Sequence, residues 1–486
     1  MVINILAGAM TKNSFVVKGR VQVANETPIR LWVSENIDLS NPTFFNISAH
    51  TDSIAQATAI GLQSNTWYWC GFEIDGVRDT NIVSHVKTAF EPGLACPEIK
   101  FGSASCANTG SNDIVFTHIP NRGLDFFIHL GDLHYEDVGR PADDPNEYLE
   151  LHKAGWDSVL NWDRTAGVQR NSPNQRDCWK SQGFVHVWDD HDYGPNNSGS
   201  ENPSKLEARQ VYDTYHPHYP LNSTTGEIYQ SFVWGRVRFI ITDLRYSRDL
   251  TGGASERRVM SVEQENWFMD ECLAALSENQ IICWVNTVPW ITSEGQFTGW
   301  PSQNQSWRDH WGAAYIQRQR LGQFLEEYNL GKRMFAISGD MHGLALDNGE
   351  HNHNGGFPVF QFGSLSRSVS TKGGPYTVGP VPKTQNYGVV TITDNDEVIT
   401  VNGAAWHLGA INVETEQSIS ALNWSSSLMP DNTLPPESVG TYELQFQVSM
   451  PPKTRRPDGS RQPVFRKSST GWVRTSILHT QFGYWE

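Results

Sequence analysis

The chain has 486 residues, of which 38% are hydrophobic and 19% are charged. This length and composition exclude a disordered, collagen-like or coiled-coil protein and predict a globular one with a large domain and a smaller one. The 37 Lys and Arg residues against 53 Asp and Glu residues give a net charge of -16, the wrong sign for a general nucleic-acid or anionic-membrane binder.

Residues 1–92 are predicted to form a small all-β domain. Apolar and polar residues alternate at 15–23, 30–33 and 67–74, as they do in strands of a half-buried sheet. The turn-rich stretch from Glu91 to Pro97 marks the predicted boundary with the next domain.

Residues 97–450 are predicted to form a larger domain in which short apolar strands alternate with helices. Helical spacing of apolar residues occurs at 203–215 and 261–276, and this alternation is typical of an α/β layout. A hairpin is predicted from strands at 387–392 and 397–401. The remaining segment, 451–486, begins basic and irregular and is predicted to be an extension that packs on the core.

Six apolar strands of the large domain end in polar side chains that can bind a metal or a phosphate. The strands at 100–105, 126–131, 184–188, 238–242, 281–285 and 334–339 are followed by Cys106, Asp132, the run Asp189 to Asp192, Asp243 with Arg245, Asn286, and Asp340 with His342. Because ligands of open α/β sheets bind outside the carboxyl ends of strands, we expect these groups to converge on one crevice.

A crevice that holds several carboxylates, a thiol and imidazoles requires cations to neutralise it. The hard oxygen ligands expected there, which suit Ca, Mn or Fe, are Asp132, Asp190, Asn286 and Asp340. A thiolate from Cys106 and a phenolate from Tyr135 favour ferric iron. Two ions are expected, with the Asp132 carboxylate bridging them, as in two-metal sites that suit phosphoryl transfer.

Each candidate also has a purely structural interpretation. Asp132 follows a glycine and could cap a turn, and Cys106 taken alone could be a small buried side chain. Arg245 could be a surface charge, although its place just past a strand favours a phosphate clamp. His191 stands in an Asp-Asp-His-Asp run, which is costly in a core and favours function. Two histidines inside strands are predicted to be core residues, His129 and His186.

These motifs resemble those of the alkaline phosphatase D (PhoD-like) family, a branch of the calcineurin-like metallophosphoesterases. They occur in family order as Ala-Ser-Cys at 104–106, Leu-Gly-Asp-x-x-Tyr-Glu at 130–136, Trp-Asp-Asp-His at 188–191, Asp-x-Arg-x-x-Arg at 243–248, Gln-x-x-Trp at 264–267 and Ser-Gly-Asp-x-His at 338–342. The resemblance implies an α/β (α+β) fold, a double β-sheet sandwich flanked by helices. It also implies that the N-terminal β domain is of the fibronectin or immunoglobulin type.

The resemblance further implies a division of the site residues between two metals. One metal, Fe³⁺, is expected to be held by Cys106, Asp132, Tyr135 and His342. The second metal, Ca²⁺ with Mn²⁺ or Zn²⁺ as alternatives, is expected to be held by Asp132, Asp190 and Asp340, with Asn286 as a weaker candidate. His191 takes the position of the catalytic histidine.

We therefore expect metal-dependent hydrolysis of phosphate esters, as an alkaline phosphatase or a phosphodiesterase, with phospholipase D-like activity included. In this hypothesis a hydroxide activated by the two metals attacks phosphorus, His191 protonates the leaving alkoxide or orients the phosphate, and Arg245 stabilises charge on the phosphoryl oxygens. The expected substrate is a nucleotide, a phospholipid or a wall polymer. The alternative is a non-catalytic, metal-stabilised polymer-binding protein, but a structural site would need no proton donor such as His191.

Cysteine usage and the first residues bear on the compartment. Six cysteines without a Cys-x-x-Cys pair are too few for a disulfide scaffold at this length. The apolar start, residues 1–10, lacks the basic stretch that precedes a secretory core. We expect a secreted or periplasmic protein whose signal is not visible in this chain, with the cytoplasm as the alternative. We expect no stable nucleic-acid partner and no membrane span, since no apolar run approaches the roughly 18 residues required.

Overall fold

The computed structural model describes residues 1–24, 26–160, 174–292 and 309–408 with their side chains. It also describes the backbone at 162–163, 168–169, 416–427, 464–468 and 471–475. The C-terminal extension, 451–486, lies outside the described residues except for its two strands, so its packing on the core stays a prediction.

The strands before residue 90 form an eight-stranded antiparallel sheet. They are β1 (Leu6–Gly8), β2 (Ser14–Arg20), β3 (Ile29–Ser34), β4 (Thr43–Thr51), β5 (Ile54–Ile60), β6 (Trp67–Ile74), β7 (Val77–Arg78) and β8 (Ser84–Lys87). Their order is β1-β2-β5-β4-β3-β6-β7, and β8 pairs with β6. Three strands separate β2 from β6, yet the ring centroids of Phe15 and Tyr68 lie 6.1 Å apart, so the sheet folds back on itself around a buried core. The all-β N-terminal region that the sequence predicts is therefore present.

A second sheet of six strands carries the first three candidate strand ends. Its strands are β9 (Ile99–Ala104), β10 (Phe126–His129), β13 (Gly183–His186), β21 (Asn386–Asp394), β22 (Val398–Leu408) and β23 (Glu416–Ser427), and a separate two-stranded ribbon is formed by β11 (Trp162–Asp163) and β12 (Val168–Gln169). The order is β13-β10-β9-β21-β22-β23, with β9, β10 and β13 parallel. The predicted hairpin is confirmed as the antiparallel pair β21 and β22.

A third sheet of seven strands carries the remaining strand ends. Its strands are β14 (Gln230–Trp234), β15 (Val237–Ile241), β16 (Ile281–Asn286), β17 (Met334–Ser338), β18 (Leu344–Asp347), β19 (Val359–Phe362) and β20 (Val378–Val381), and two further strands, β24 (Val464–Ser468) and β25 (Gly471–Thr475), pair only with each other. The order is β14-β15-β16-β17-β19-β18-β20, and β15, β16, β17 and β19 are parallel.

The second and third sheets pack face to face through aromatic side chains. The ring centroid of Phe239 lies 5.5 Å from those of both Phe101 and Phe126, and the centroids of Phe126 and Trp234 lie 4.9 Å apart. All four rings are fully buried. Burying rings of this size dominates the energetics of a core, so this layer holds the sandwich together.

Helices cover the outer faces of the sandwich. They are α1 (Val115–His118), α2 (Tyr148–Val159), α3 (Asn174–Trp179), α4 (Asp190–Tyr193), α5 (Lys205–Tyr215), α6 (Val262–Ser277) and α7 (Tyr315–Glu327). On one side Trp179 packs 5.0 Å from Phe127, and on the other Phe268 packs 4.8 Å from Trp284. This helix–sheet–sheet–helix arrangement confirms the predicted fold class. Within the described part of the chain, no helix combines the length and hydrophobicity that crossing a membrane requires.

The N-terminal sheet is joined to the sandwich by a buried ion pair. Arg20, at the end of β2, is 5% exposed, and its guanidinium pairs with Asp157 of α2. It also donates to the Tyr215 hydroxyl of α5, at 3.0 Å. Because removing one partner of a buried pair leaves the other charge uncompensated, this contact fixes the relative position of the two units.

Buried histidines line the interior between the second sheet and its helices. The buried set is His129, His134, His152, His186 and His216. His129 and His186 are core residues inside strands, as predicted. Neither ring nitrogen of His129 has a hydrogen-bond partner among the described residues, and burial lowers its pKa to about 3. Burial also lowers the pKa of His152 to about 3. The folded protein therefore requires neutral imidazoles here.

We predict that this requirement makes the fold acid-labile. Below a pH of about 6.5 the unfolded chain binds a proton at each such histidine while the folded chain does not, so stability falls by up to about 1.4 kcal/mol per histidine per pH unit. The loss continues until the folded pKa of about 3 is reached. Replacing His129→Leu should reduce this slope by about one proton, measured by urea unfolding at pH 7, 6 and 5. An unchanged slope would contradict the assignment.

Candidate metal centre

The ends of strands from both sheets of the sandwich meet in one buried cluster. Cys106, Asp132, Asp190 and Asp340 follow β9, β10, β13 and β17, and each is at most 4% exposed. Their ligand atoms fall into groups in which all atoms lie within 4.8 Å of one another. The convergence expected from the strand ends is therefore present, because parallel strands of the two packed sheets end at the same edge of the sandwich.

The backbone turns sharply at these strand ends. Cys106, Asp132 and Asp340 have φ values of 63°, 58° and 59°, in the left-handed region that non-glycine residues rarely adopt. A Cβ on Gly131 would lie 2.4 Å from the backbone nitrogen of Asp189, so only glycine allows the two loops to approach this closely. Strained backbone of this kind is concentrated at functional sites.

The first group contains Cys106, Asp132 and His342. The Tyr135 hydroxyl donates to Asp132 Oδ2 at 2.8 Å and lies 3.3 Å from His342 Nε2. His342 Nδ1 lies 2.7 Å from the Ser368 carbonyl, which accepts its hydrogen and leaves Nε2 free to bind a metal. All four predicted ligands of the first metal are therefore brought together.

Two further groups continue the cluster, the second sharing Asp132 with the first and the third sharing Asp190 with the second. Asp132, Asp190 and His191 form one, and Asp189, Asp190 and Asp340 form the other. Asp189 Oδ2 and Asp190 Oδ1 are buried and accept no hydrogen bond within the described part of the chain. Asp132 belongs to two groups, which is the position that the predicted bridging carboxylate requires. Asp189 is not among the predicted ligands, although it stands in the same acidic run.

The electrostatics of the cluster call for bound cations. Burial and the neighbouring carboxylates raise the pKa values of Asp132 and Asp340 well above their usual range. Burial and the charge of Asp132 likewise raise the pKa of the Cys106 thiol. These groups can be ionised together only beside positive charge, and metal ions supply it at such sites. The donor set, one thiol, one phenol, one imidazole and several carboxylates, fits metal binding.

His191 is held in place by Asp137. The imidazole Nδ1 forms a short hydrogen bond with Asp137 Oδ1, and Nε2 lies 4.0 Å from Asp190 Oδ2. Burial lowers the pKa of His191, but the carboxylates of Asp190, Asp132 and Asp137 outweigh it and raise the pKa to about 10. With Nδ1 on Asp137, the Nε2 side of the imidazole faces the ligand groups. Sequence reasoning missed Asp137, although it follows the Tyr-Glu pair of the strongest motif.

Arg245 lies among carboxylates, and the phosphate clamp expected of it stays a prediction. Its side chain is fully buried, and Nε donates to Asp189 Oδ1 at 2.5 Å while Nη1 donates to Asp309 Oδ1 at 2.6 Å. Nη2 lies 3.4 Å from Asp190 Oδ1. With its donors directed at three carboxylates, Arg245 orients candidate ligands.

Lys372 and Asp309 are members of the site that no sequence pattern indicated. Lys372 Nζ lies 2.7 and 2.8 Å from the two oxygens of Asp340 and 2.9 Å from Asp309 Oδ2. Lys372 stands in a Thr-Lys-Gly-Gly stretch remote from every motif. In the sequence, a further cation was indicated by the excess of carboxylates at the strand ends.

The structure does not support Asn286 as a ligand. Its amide nitrogen donates to the Val288 carbonyl at 2.8 Å and to Ser338 Oγ at 3.0 Å, and its oxygen accepts the Trp311 indole N–H at 2.9 Å. None of its described hydrogen bonds reaches the acidic cluster. These hydrogen bonds hold β16 to its neighbours. They account for a polar residue at this strand end without a metal.

Asp192 and Asp243 accept hydrogen bonds that hold the loops of the site in place. Asp192 accepts the backbone N–H groups of Asp132 and Asp189, both at 2.9 Å, and so ties the two ligand loops together. Asp243 accepts the Trp188 indole N–H at 2.9 Å. The Gln264 amide bonds both the N–H and the carbonyl of Asp243, at 2.7 and 2.8 Å. The motifs at 243–248 and 264–267 therefore align backbone segments of the site.

The chain is similar to known proteins in sequence and in fold. A family model described as PhoD-like phosphatase matches residues 101–418, more than half of the chain. A solved structure described as "Structure of PhoD" is similar over 99% of this chain and 93% of its own, with a TM-score of 0.67 and 17% identity, which shows the shared fold. The sensor domain of an anti-sigma factor from Pseudobacteroides cellulosolvens matches over 18% of this chain and 93% of its own, at 20% identity and a TM-score of 0.15, too low to carry an argument. No curated protein matches the chain.

We predict that Asp132→Asn removes metal from both ligand groups, because this carboxylate belongs to each. Metal per chain after dialysis, measured by elemental analysis, should fall strongly. The control is Asp125→Asn, at the opposite end of the same strand region, where the carboxylate accepts Lys87 Nζ at 2.7 Å. Equal metal content in Asp132→Asn and wild-type protein would contradict the assignment.

Proposed function

Since the chain belongs to the PhoD-like phosphatase family, we propose that it hydrolyses phosphate esters by a two-metal mechanism at the cluster of strand ends. The observation that carries this proposal is the place of Asp132 in two ligand groups, with the imidazole of His191 in one of them. A shared carboxylate suits a pair of ions, and a proton donor is what departure of an alkoxide needs.

Two metals fit the residues present. We propose Fe³⁺ at Cys106, Asp132, Tyr135 and His342, because a thiolate and a phenolate favour a strongly Lewis-acidic ion. We propose Ca²⁺ at Asp132, Asp190 and Asp340, with Mn²⁺ or Zn²⁺ as alternatives, because oxygen ligands suit these harder ions. When bound, the ions would supply Lewis-acid activation of a water nucleophile and neutralise charge on the phosphoryl group.

The protein's own residues handle the proton and the geometry. His191 donates the Nε2 proton to the leaving oxygen, and Asp137 fixes the ring by accepting at Nδ1. Arg245 holds Asp189 and Asp190 in place from beneath. Lys372 has a side chain that is 20% exposed, so its ammonium can also meet charge on the phosphoryl oxygens.

The substrate class and the compartment stay proposals. Phosphate esters of nucleotides, phospholipids or wall polymers all suit this chemistry. A secreted or periplasmic location remains our prediction, with the cytoplasm as the alternative. A non-catalytic, polymer-binding protein remains the competing function, and the following assay separates the two.

The test is hydrolysis of p-nitrophenyl phosphate and of its bis ester by protein supplied with Fe and Ca, with a chelator control. Faster turnover of the bis ester would make the protein a phosphodiesterase, and faster turnover of the monoester a phosphatase. Activity should disappear with the chelator and return with metal. No hydrolysis of either ester by protein that retains its metals would count against the enzyme and favour the polymer-binding alternative.

The role of His191 predicts a dependence on the leaving group. Asp137→Asn should lower kcat about 10- to 100-fold, as is typical when the group orienting an active-site histidine is lost, with metal content unchanged. The loss should be larger for a phenyl ester than for the p-nitrophenyl ester, because the poorer leaving group needs the proton more. His191→Gln should show the same pattern more strongly. Equal losses with both esters would show that neither residue acts through proton donation.

A further inference from the structure

Arg367 is a cation at the rim of the site that has no carboxylate partner within the described part of the chain. Its Nη1 donates to Asn108 Oδ1 at 3.0 Å, and its Nε is buried without a hydrogen-bond partner. Its backbone N–H donates to Ser364 Oγ at 2.7 Å, which fixes the loop that carries it. Nη2 makes no hydrogen bond within the described part of the chain, so it is the donor that stays available in an otherwise acidic site.

The other cations of the site are each paired with a carboxylate. Arg245 pairs with Asp189, Lys372 pairs with Asp340, Arg248 pairs with Asp309, and His191 pairs with Asp137. Their charge balances the ligands around the metals. Arg367 is different because the structure gives it no charge to balance, which leaves its guanidinium available to an anion from outside.

Tyr135 holds Arg367 in a defined place. The guanidinium carbon lies 3.8 Å from the centroid of the Tyr135 ring, and the centroid of the His191 ring lies 4.1 Å from the same point. Two groups this close cannot share one face of a ring, so Arg367 and His191 lie on opposite faces of Tyr135. Stacking on an aromatic face orients the guanidinium and reduces the freedom that it would lose on binding.

The surface around Arg367 is open and polar. Asn108, Ser368 and Ser370 are exposed, and the Val369 side chain between the two serines is 46% exposed. Ser368 also contributes the carbonyl that orients His342. The loop that shapes the first ligand group therefore also forms a rim on which part of a substrate can lie.

We propose that Arg367 binds a second phosphate of the substrate, beyond the phosphate that is hydrolysed. This inference rests on the proposed phosphoesterase function and adds a substrate class to it, esters that carry more than one phosphate. A guanidinium N–H forms a charge-assisted hydrogen bond with a phosphate oxygen, and the Nη2 group of Arg367 can form one beside the candidate metal centre. Arg367 is a binding residue for the substrate's remote group and takes no part in the chemical step.

The test compares two competitive inhibitors of whichever p-nitrophenyl ester the enzyme hydrolyses. One is 3-hydroxypropyl phosphate, with one phosphate, and the other is propane-1,3-diyl bisphosphate, with two. For wild-type protein the bisphosphate should bind about tenfold more tightly or better, the effect of a hydrogen bond between charged groups. In Arg367→Ala the ratio of the two inhibition constants should fall to near one, and Arg367→Lys should restore part of it.

The ratio is the readout because damage to folding or metal content would weaken both inhibitors together. Arg258→Ala is the matched control, since it removes an Arg charge that is 47% exposed and pairs with Asp249. It should keep the wild-type ratio. A wild-type ratio near one, or an unchanged ratio in Arg367→Ala, would overturn the proposal.

Two sources of a second phosphate can be separated in the same assay. Tighter binding of adenosine diphosphate than adenosine monophosphate, lost in Arg367→Ala, would indicate a diphosphate. An effect confined to the linker-joined bisphosphate would indicate a phosphodiester chain. If neither p-nitrophenyl ester is hydrolysed, the proposed function fails, and calorimetric titration of the same inhibitors into the metal-loaded protein still decides whether Arg367 distinguishes one phosphate from two.

Discussion

Mutual repulsion among buried carboxylates is the constraint on which this site depends. Asp132, Asp189, Asp190, Asp309 and Asp340 are all at most 4% exposed, and they meet where the strands of two packed sheets end. Charges of one sign cannot be removed from water together unless cations accompany them. The protein supplies part of that charge through Arg245, Arg248 and Lys372, and the remaining ligand atoms need metals.

The aromatic layer between the two sheets makes this arrangement possible. Phe101, Phe126 and Phe239 bring the sheets into register, so that loops after β9, β10 and β17 face one another. The same loops contain left-handed residues and a glycine packed on the Asp189 backbone. A rigid sandwich can hold such strained turns because packing on both sides prevents their relaxation. Packing in the core therefore keeps the ligand atoms in fixed positions.

Much of the fold and most of the ligands could be predicted because they follow from local patterns. Alternating strands, the capped helix α6, whose Ser261 hydroxyl accepts the Gln264 N–H at 3.1 Å, and polar residues after apolar strands are all visible in short windows. Asn286 and Arg245 show the limit of such patterns. A polar residue at a strand end has the same pattern whether it faces a ligand or completes an internal hydrogen-bond network, and only its partners distinguish the two cases.

The sequence by itself indicated many of the strands, the polar groups that follow six of them, and therefore a candidate metal-binding cluster with a histidine beside it. Periodicity and motif spacing carry that information because they act over a few residues. Only the tertiary structure decided that Lys372 and Asp309 join the cluster, that Asp137 orients His191, and that Arg367 lies on the face of Tyr135 without a carboxylate partner among the described residues. These contacts join side chains that are distant in the chain, and their geometry depends on how the two sheets pack.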